Sequence, residues 1–262
     1  MSERIRFFKE YLRHVSVSMA LWRCFECEEF AKEKLAKPVL DLGCGDGFFA
    51  KTVLGAPLEA GIDLDPREVD RARRAGVYRR VVVGSATDMP FRKGEFRTVV
   101  SNCVPEHIPD IDAALREAHR VLKPGGRLII TVPSEVYNDH MGLKSFLSSI
   151  GLGSLGKMYL DGLNRIFKHF HVDDAATWKA RMKKAGFRVE VCKYIIPIPA
   201  FRAFEAWFPP AFISKVNRVL FGKWVLLPRG WVVALAPRLL KNVLRAEGEP
   251  GACYYIRARK AG

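Results

Sequence analysis

The sequence contains no uninterrupted apolar run of the roughly 18 residues that a membrane-spanning helix requires. Its most apolar stretch, VLFGKWVLLPRGWVVALAPRLL, is broken by Lys223, Pro228, Arg229 and Pro237. The N-terminal segment MSERIRFFKEYLRH is charged throughout and lacks the apolar core and cleavage site of a secretory signal. We therefore expect a cytoplasmic chain without a spanning helix, while a helix lying on the membrane surface remains open.

Cysteines and acidic residues are both few. The six cysteines follow no disulfide framework: Cys24, Cys27, Cys44, Cys103, Cys192 and Cys253. The first two form a C-x-x-C within a predicted helix, without a second pair, so we expect no metal site. The 28 Asp and Glu are outnumbered by 43 Lys and Arg, which gives a net charge of +15. This excess suits nucleic acid, anionic lipid, acidic substrates or solubility, and does not select among them.

Short apolar runs alternate with helix-length amphipathic stretches between residues 38 and 133. The runs PVLDL, EAGIDL, RVVVG, RTVVSN and RLIITV predict buried strands, and DIDAALREAHRVL predicts a helix. Such alternation is typical of parallel strands joined by right-handed crossovers. The sequence thus predicts an α/β fold with a Rossmann-like, doubly wound sheet whose ligands bind at the carboxyl ends of the strands.

Three further segments surround this alternation. Residues 1–37 predict two helices, with Ser16 or Ser18 as an N-cap, and residues 135–170 predict a helical insertion. RVEVCKYII and CYYIRARK predict the last two strands, and residues 196–251 between them form a second insertion. We divide the chain into an N-terminal helical cap (1–37), a core (38–134) and a remainder (135–262), whose insertions we expect to cover the carboxyl edge of the sheet and form a cap over the binding site.

The segment VLDLGCGDGFFA carries the strongest motif. Asp41 ends the first predicted strand and is followed by Gly43, Gly45 and Gly47, which allow a sharp turn and a close approach to a ligand. A dinucleotide motif would need glycine where Phe48 stands, and Asp46 would repel its phosphates. The two carboxylates instead favour a ligand with cationic character, such as a sulfonium with an ammonium group.

The second predicted strand ends in GIDLDP. Asp63 stands at its tip, where a carboxylate can accept hydrogen bonds from both hydroxyls of a ribose. Asp65 is better explained as the N-cap of a helix that begins at Pro66.

Six elements in order, D-L-G-C-G-D-G, G-I-D, A-T-D-M-P-F, E-F-R-T-V-V-S, E-H-I and R-V-L-K-P-G-G-R-L, resemble the class I S-adenosylmethionine-dependent methyltransferases of the type 11, ubiquinone-biosynthesis-like group. The resemblance covers about residues 37–134 and implies a seven-stranded sheet with an antiparallel last strand. It implies that S-adenosyl-L-methionine is the cofactor. The residues it places around that cofactor, together with neighbours in the same loops, are Asp41, Gly43, Cys44, Gly45, Asp46, Asp63, Leu64, Ser85 and Ala86. Asn102, at the tip of the fourth strand, is a further candidate for the cofactor or acceptor site.

Within this set, the resemblance assigns the glycine loop to the methionine part, Asp63 to the ribose and the loop at Ser85 and Ala86 to the adenine. Many relatives have Asp where Ser85 stands, so Asp88 or the backbone is left to meet the adenine amino group.

Methyl transfer needs a general base only if the acceptor has a proton to lose. The candidates are Glu106 and His107 after the fourth strand, and His171, with His169 beside it, in KHFHVDD. His107 is equally explained as a shape and hydrogen-bonding element of the pocket, and Asp173 or Asp174 as a helix cap.

The acceptor is hardest to predict. The segment from Ala200 to Arg245 combines aromatic and aliphatic residues with spaced Lys and Arg, which suits a helix in an anionic membrane interface and equally an apolar lid over a soluble pocket. We predict a methyltransferase for a small-molecule acceptor, with a lipid-like or lipid-linked acceptor at the inner membrane face as the specific hypothesis. A nucleic-acid methyltransferase and a cofactor-binding, non-catalytic partner protein are the alternatives.

Overall fold

The computed structural model describes residues 2–55, 57–207, 216–218, 220–221, 225 and 230–261. Lys223, Trp224, Pro228 and Arg229 of the apolar stretch lie outside the described residues. The chain forms two compact units. The helical unit comprises Met1–Phe30, Val136–Leu160 and Tyr194–Ala252, and the sheet unit comprises Ala31–Glu135, Asp161–Lys193 and Cys253–Gly262.

The sheet has seven strands in the order β3-β2-β1-β4-β5-β7-β6. Their bounds are β1 Val39–Leu42, β2 Leu58–Asp63, β3 Tyr78–Val83, β4 Phe96–Asn102, β5 Leu122–Pro133, β6 Phe187–Tyr194 and β7 Cys253–Lys260. The first five strands pair in parallel, and β7 pairs with β5 in the antiparallel direction. This confirms the predicted fold, including the antiparallel last strand.

Eleven α-helices have both of their ends within the described residues. They are α1 Glu3–Leu12, α2 Val17–Ala31, α3 Pro66–Ala75, α4 Ile111–Val121, α5 Glu135–Asp139, α6 Gly142–Ser149, α7 Gly153–Phe167, α8 Ala175–Lys184, α9 Ile198–Ala206, α10 Gly230–Leu239 and α11 Lys241–Leu244. A π-helical segment, Ala50–Leu54, follows the glycine loop, and a 3-10 turn, Pro105–His107, follows β4. No helix in the described part of the chain is both long and apolar enough to cross a membrane.

Local sequence explains how the helices of the sheet unit begin and end. The Asp65 carboxylate accepts a hydrogen bond from the Arg67 N–H at 2.9 Å, and Pro66 occupies the first helical position of α3. Gly76 ends that helix in the left-handed conformation, with φ of +66°. The cap predicted for Asp65 is therefore present.

A partly buried cation and aromatic packing connect the helices of the helical unit. The Arg4 guanidinium donates to the Glu28 carboxylate at 2.6 and 2.8 Å and to the carbonyls of Leu244 and Ala246. These bonds tie α1 to α2 and to the end of α11. Three buried aromatic side chains pack around Trp22: Tyr137, Phe201 and Phe204 lie with ring centroids 5.1–6.4 Å from it.

Candidate active site

The glycine loop after β1 is anchored to the tip of β2. The backbone N–H groups of Gly43 and Cys44 both donate to the Ile62 carbonyl, at 2.8 and 3.0 Å. The Gly45 N–H donates to the Asp63 carboxylate at 2.8 Å. The first motif and the predicted ribose-binding carboxylate are therefore parts of one structure at the carboxyl edge of the sheet.

Gly43 and Gly45 of the loop both have positive φ angles, but they differ in the space around the Cβ position. Gly43 has a φ of +76°, and a Cβ at this position would overlap the side chain of Val104, which follows β4. Gly45 has a φ of +52°, but a Cβ there would face open space. Gly45 is half-buried, and the absence of a side chain lets a ligand approach its backbone closely.

Apolar surface lies directly beside Asp63. The Asp63 carboxylate also accepts a hydrogen bond from the Asp65 N–H at 3.0 Å, which fixes the orientation of the carboxylate. The next residue, Leu64, is 75% exposed, and exposed Val83 pairs with Asp63 across the sheet. A fixed carboxylate next to exposed aliphatic side chains suits a nucleoside, because the carboxylate can accept from ribose hydroxyls while the aliphatic groups cover a base.

Asp41 lies buried below the loop, and the sequence did not reveal its partner. The hydroxyl of Tyr78, 37 residues away at the start of β3, donates to the Asp41 carboxylate at 2.7 Å. Burial raises the pKa of Asp41 to about 7; the bond from Tyr78 opposes this shift and the nearby Asp63 carboxylate adds to it. Two neighbouring acidic groups favour a positively charged ligand.

Cys44 and Asp46, also predicted to line the cofactor site, differ in their surroundings. Cys44 is buried against Val69, Ala72 and Val81, and burial raises the pKa of its thiol. The Asp46 carboxylate accepts from the Phe48 N–H at 3.1 Å and so shapes the entry into the π-helical segment.

In the predicted adenine loop, the side-chain hydroxyls of Ser85 and Thr87 contact each other. The Ser85 hydroxyl lies 2.7 Å from that of Thr87 and accepts from the Thr87 N–H at 3.1 Å. The Ser85 side chain is therefore engaged by its own loop, while Asp88 is exposed. This arrangement leaves the backbone near Ala86 or the Asp88 carboxylate to meet an adenine.

Asn102 closes the tip of β4. Its side-chain oxygen accepts from the Thr131 hydroxyl of β5 at 2.7 Å. The next residue, Cys103, has a φ of +50°, and its N–H donates to the Thr131 carbonyl. The backbone thus bends sharply away from the sheet, which takes Val104 over Gly43.

The turn after Val104 carries two of the predicted catalytic residues. Glu106 is buried, whereas the His107 side chain is partly exposed. The His107 Nδ1 lies 3.2 Å from the Lys168 carbonyl, which can only accept, so this nitrogen carries the hydrogen. The other ring nitrogen, Nε2, lies 3.8 Å from the Glu106 carboxylate.

The segment after α7 lies against this turn. The Phe170 N–H donates to the Glu106 carbonyl at 2.8 Å, and the His169 ring lies 5.2 Å from the His107 ring. Burial, with a smaller effect of His107, lowers the pKa of His169 to about 4. His169 is therefore uncharged at neutral pH.

His171, the third predicted base, is engaged by backbone. Its Nε2 lies 3.0 and 3.2 Å from the carbonyls of Ile108 and Pro109, and its Nδ1 lies 3.8 Å from the Asp173 carboxylate. These contacts brace the loop that follows β4. Asp174, rather than Asp173, caps α8 by accepting from the Thr177 N–H.

The residues present fit S-adenosylmethionine. The open space beside Gly45 allows a ligand to approach the backbone closely. The fixed Asp63 carboxylate beside Leu64 suits a ribose with its base, and the neighbouring acidic groups of Asp41 and Asp63 suit a cation. The predicted roles of the individual site residues stay predictions.

Comparison with known proteins places the chain in a family. A model described as "Methyltransferase domain" matches residues 40–130. An uncharacterized methyltransferase of Mycobacterium sp. (strain KMS) is 38% identical over 96 residues, which cover 36% of this chain and 38% of that protein. The match thus spans about two fifths of the length of that relative.

Other known proteins match a larger part of this chain. A ubiquinone biosynthesis O-methyltransferase of Xanthomonas euvesicatoria is 31% identical over 202 residues, covering 72% of this chain and 76% of that protein. The structure also resembles a SAM-dependent methyltransferase, possible histamine N-methyltransferase, from Thermotoga maritima, with a TM-score of 0.55, 21% identity, and coverage of 98% of this chain and 97% of that one. The likeness to the solved structure supports the fold alone. On these matches and the site geometry, the chain belongs to the class I S-adenosylmethionine-dependent methyltransferases of the type 11 family, with S-adenosyl-L-methionine as the cofactor.

Proposed function

We propose that the protein transfers a methyl group to a hydroxyl oxygen of a small, lipid-like acceptor, with His107 as the general base. The observation that carries this proposal is the contact between the two loops: Val104 packs on Gly43, and the 3-10 turn with His107 begins at the next residue. His107 thus follows by three residues a side chain that contacts the glycine loop. The O-methyltransferase named in ubiquinone biosynthesis supports a hydroxyl on a lipid-like molecule as the acceptor.

When bound, S-adenosylmethionine supplies a methyl group on a sulfonium, which an acceptor oxygen attacks in line while the carbon–sulfur bond breaks. The hydrogen bond to the Lys168 carbonyl fixes the tautomer of His107, so that Nε2 is the nitrogen that takes the acceptor proton. The Glu106 carboxylate, 3.8 Å from Nε2, stabilises the imidazolium that results. An uncharged His169 beside the ring adds no repulsion.

Replacement of the base tests this role. His107→Asn should lower kcat for a phenol or catechol acceptor by about 10²-fold or more, because a positioned base contributes 10²–10⁴-fold, while the affinity for S-adenosylhomocysteine stays unchanged. His14→Asn, on an exposed histidine at the end of α1, is the matched control and should keep full activity. Equal kcat values for the two variants would remove His107 from the mechanism.

We also propose that the two insertions and the N-terminal cap select the acceptor, and that the second insertion contacts the inner membrane face. Helix α10 supports the membrane part. Trp231, Leu235 and Leu239 recur every four residues along this helix, and the first and last are 72% and 70% exposed. Arg238 belongs to the same helix, and Lys241 and Arg245 follow in α11 and at its end, so basic residues accompany the apolar ones as in interfacial helices.

The acceptor class is tested with paired substrates. A catechol with a long apolar tail and the same catechol without it should differ at least 10-fold in kcat/KM in favour of the tailed form, since a lipid-like acceptor gains from apolar burial. Equal values would show that the protein recognises the soluble ring only.

A further inference from the structure

Helices α6 and α7 form a hairpin that belongs to the first insertion. The connection is tight: the Gly151 N–H donates to the Ser148 carbonyl, and the Leu152 N–H donates to the Leu147 carbonyl at 2.8 Å. Gly156 of α7 is buried against α6, where a Cβ would lie 3.0 Å from the Lys144 carbonyl. The two helices therefore cross closely and hold a defined shape.

The hairpin leaves an unusual amount of apolar surface uncovered. Helix α6 has no buried residue at all, and α7 buries only Gly156 and Leu160. Phe146 and Met158 are 59% and 66% exposed. Six large apolar side chains within 16 residues are exposed: Leu143, Phe146, Ile150, Leu152, Leu155 and Met158. Exposed apolar residues in such density mark an interaction surface.

The charges of the hairpin indicate the kind of partner. Between Asp139 and Asp161 the sequence has no acidic residue, and its two charged residues are Lys144 and Lys157, one on each helix. The Lys144 ammonium lies 3.5 Å from the Asp139 carboxylate, and the Gly142 N–H donates to the Glu205 carboxylate, so both acidic contacts lie at the start of α6. Basic residues beside exposed Leu, Ile, Phe and Met suit the headgroup region of an anionic bilayer, where the apolar side chains enter the acyl boundary and the lysines meet lipid phosphates. The protein as a whole carries a net charge of +15, which adds attraction to the same partner.

We propose that the α6–α7 hairpin is a membrane-docking element that inserts its exposed apolar side chains into an anionic lipid surface. It is separate in sequence from α10, the element on which the proposed membrane contact of the second insertion rests. The hairpin inference deepens the proposed function by giving a lipid-like acceptor a route from the bilayer, but lipid binding by the hairpin is measurable without any methyl transfer.

The test is vesicle flotation of the full chain with phosphatidylglycerol–phosphatidylcholine vesicles. The hairpin variant is Phe146→Glu with Met158→Glu, and the α10 variant is Trp231→Glu with Leu239→Glu. The charge-matched control is Ala176→Glu with Ala180→Glu, at two exposed positions of α8. Circular dichroism and the Kd for S-adenosylhomocysteine show that each variant is folded.

We expect the hairpin variant to lower the vesicle partition coefficient at least 10-fold, and the α8 control to lower it less than 2-fold. A milder variant, Phe146→Ser, should lower it about 3-fold and guards against loss of the hairpin fold in the double variant. All variants should bind S-adenosylhomocysteine as the wild type does.

Three results would overturn the proposal: a wild type that does not float with anionic vesicles, a hairpin variant that floats as well as the α8 control, or a wild-type dimer in solution that the hairpin variant converts to a monomer without any change in flotation. The last would show that a second copy covers the hairpin.

Loss of flotation in the α10 variant alone would assign membrane contact to the second insertion and not to the hairpin. Vesicle binding without methyl transfer would leave the hairpin inference intact and count against the proposed reaction.

Discussion

The Asp41 carboxyl lies buried under the glycine loop, and burial raises its pKa to about 7. The same group in the unfolded chain would have its ordinary value of 3.8. The folded state therefore holds the proton more tightly, so that the stability of the fold decreases as the pH rises from about 4 to 7. A bound cation offsets this loss, because it favours the ionised carboxyl.

Asp41→Asn should therefore stabilise the protein while weakening cofactor binding. At pH 8 the free energy of unfolding should rise by about 2–4 kcal/mol, since each pKa unit is worth about 1.4 kcal/mol, and the gain should vanish at pH 4.5, where Asp41 is protonated. Urea denaturation at the two pH values measures the difference. A variant less stable than wild type at both pH values would show that the charge of Asp41 does not destabilise the fold.

Tyr78→Phe separates the hydroxyl from the ring, which fills space that Gly47 and Gly61 leave open. Without the donor, the Asp41 pKa should rise further, and the affinity for S-adenosylmethionine at pH 7 should fall about 10-fold. At pH 9, where Asp41 ionises in both proteins, calorimetry should show a smaller difference. Tyr254→Phe removes a similar bond to Glu135 in the same unit and serves as the control, with unchanged affinity expected.

At the scale of elements, the loop after β1 and the turn after β4 depend on each other. Gly43 leaves the space that Val104 fills, and the backbone bends at Cys103 to bring Val104 there. A change in one element should therefore displace the other, and with it His107.

Gly43→Ala tests this dependence. The added methyl group overlaps Val104, so we expect the affinity for S-adenosylhomocysteine to fall at least 10-fold. The free energy of unfolding should also fall by roughly 1 kcal/mol, because alanine is disfavoured in the left-handed region. Gly94→Ala is the matched control, because Gly94 has a φ of +66° and open space around its Cβ position. The Gly94→Ala variant should lose a similar amount of folding stability and keep the wild-type affinity for S-adenosylhomocysteine. Equal affinities for both variants would refute the steric argument.

The sequence predicts the elements better than their contacts. Strands are recognisable because apolar runs end at glycines or polar residues, and β7 was predicted as CYYIRARK, with the bounds Cys253–Lys260 that the structure has. The bond between Tyr78 and Asp41 was not predictable, because it joins residues 37 positions apart through the register of β1, β2 and β3. The insertion at residues 135–170 is helical as predicted, but helical periodicity does not reveal that α6 buries none of its side chains.

At the scale of the whole molecule, charge and exposed apolar surface support the same proposed environment. The chain carries 43 basic against 28 acidic residues, and two of its segments, α6–α7 and α10, combine exposed apolar side chains with Lys or Arg. Electrostatic attraction to an anionic surface acts over about 10 Å at 0.1 M salt, whereas apolar insertion is insensitive to salt.

The lipid composition of the vesicles that carry the acceptor should therefore control the apparent KM for that acceptor. For a tailed catechol in vesicles, we expect a KM at least 5-fold lower when the vesicles contain phosphatidylglycerol than when they are purely zwitterionic, because the enzyme and the acceptor then meet on one surface. Raising the NaCl concentration from about 0.05 to 0.5 M shortens the range of the attraction and should remove most of that difference. The untailed catechol, which stays in water, should show the same KM with both kinds of vesicle and at both salt concentrations. If the tailed acceptor behaves like the untailed one, the protein takes its acceptor from solution, and the exposed apolar helices serve another purpose.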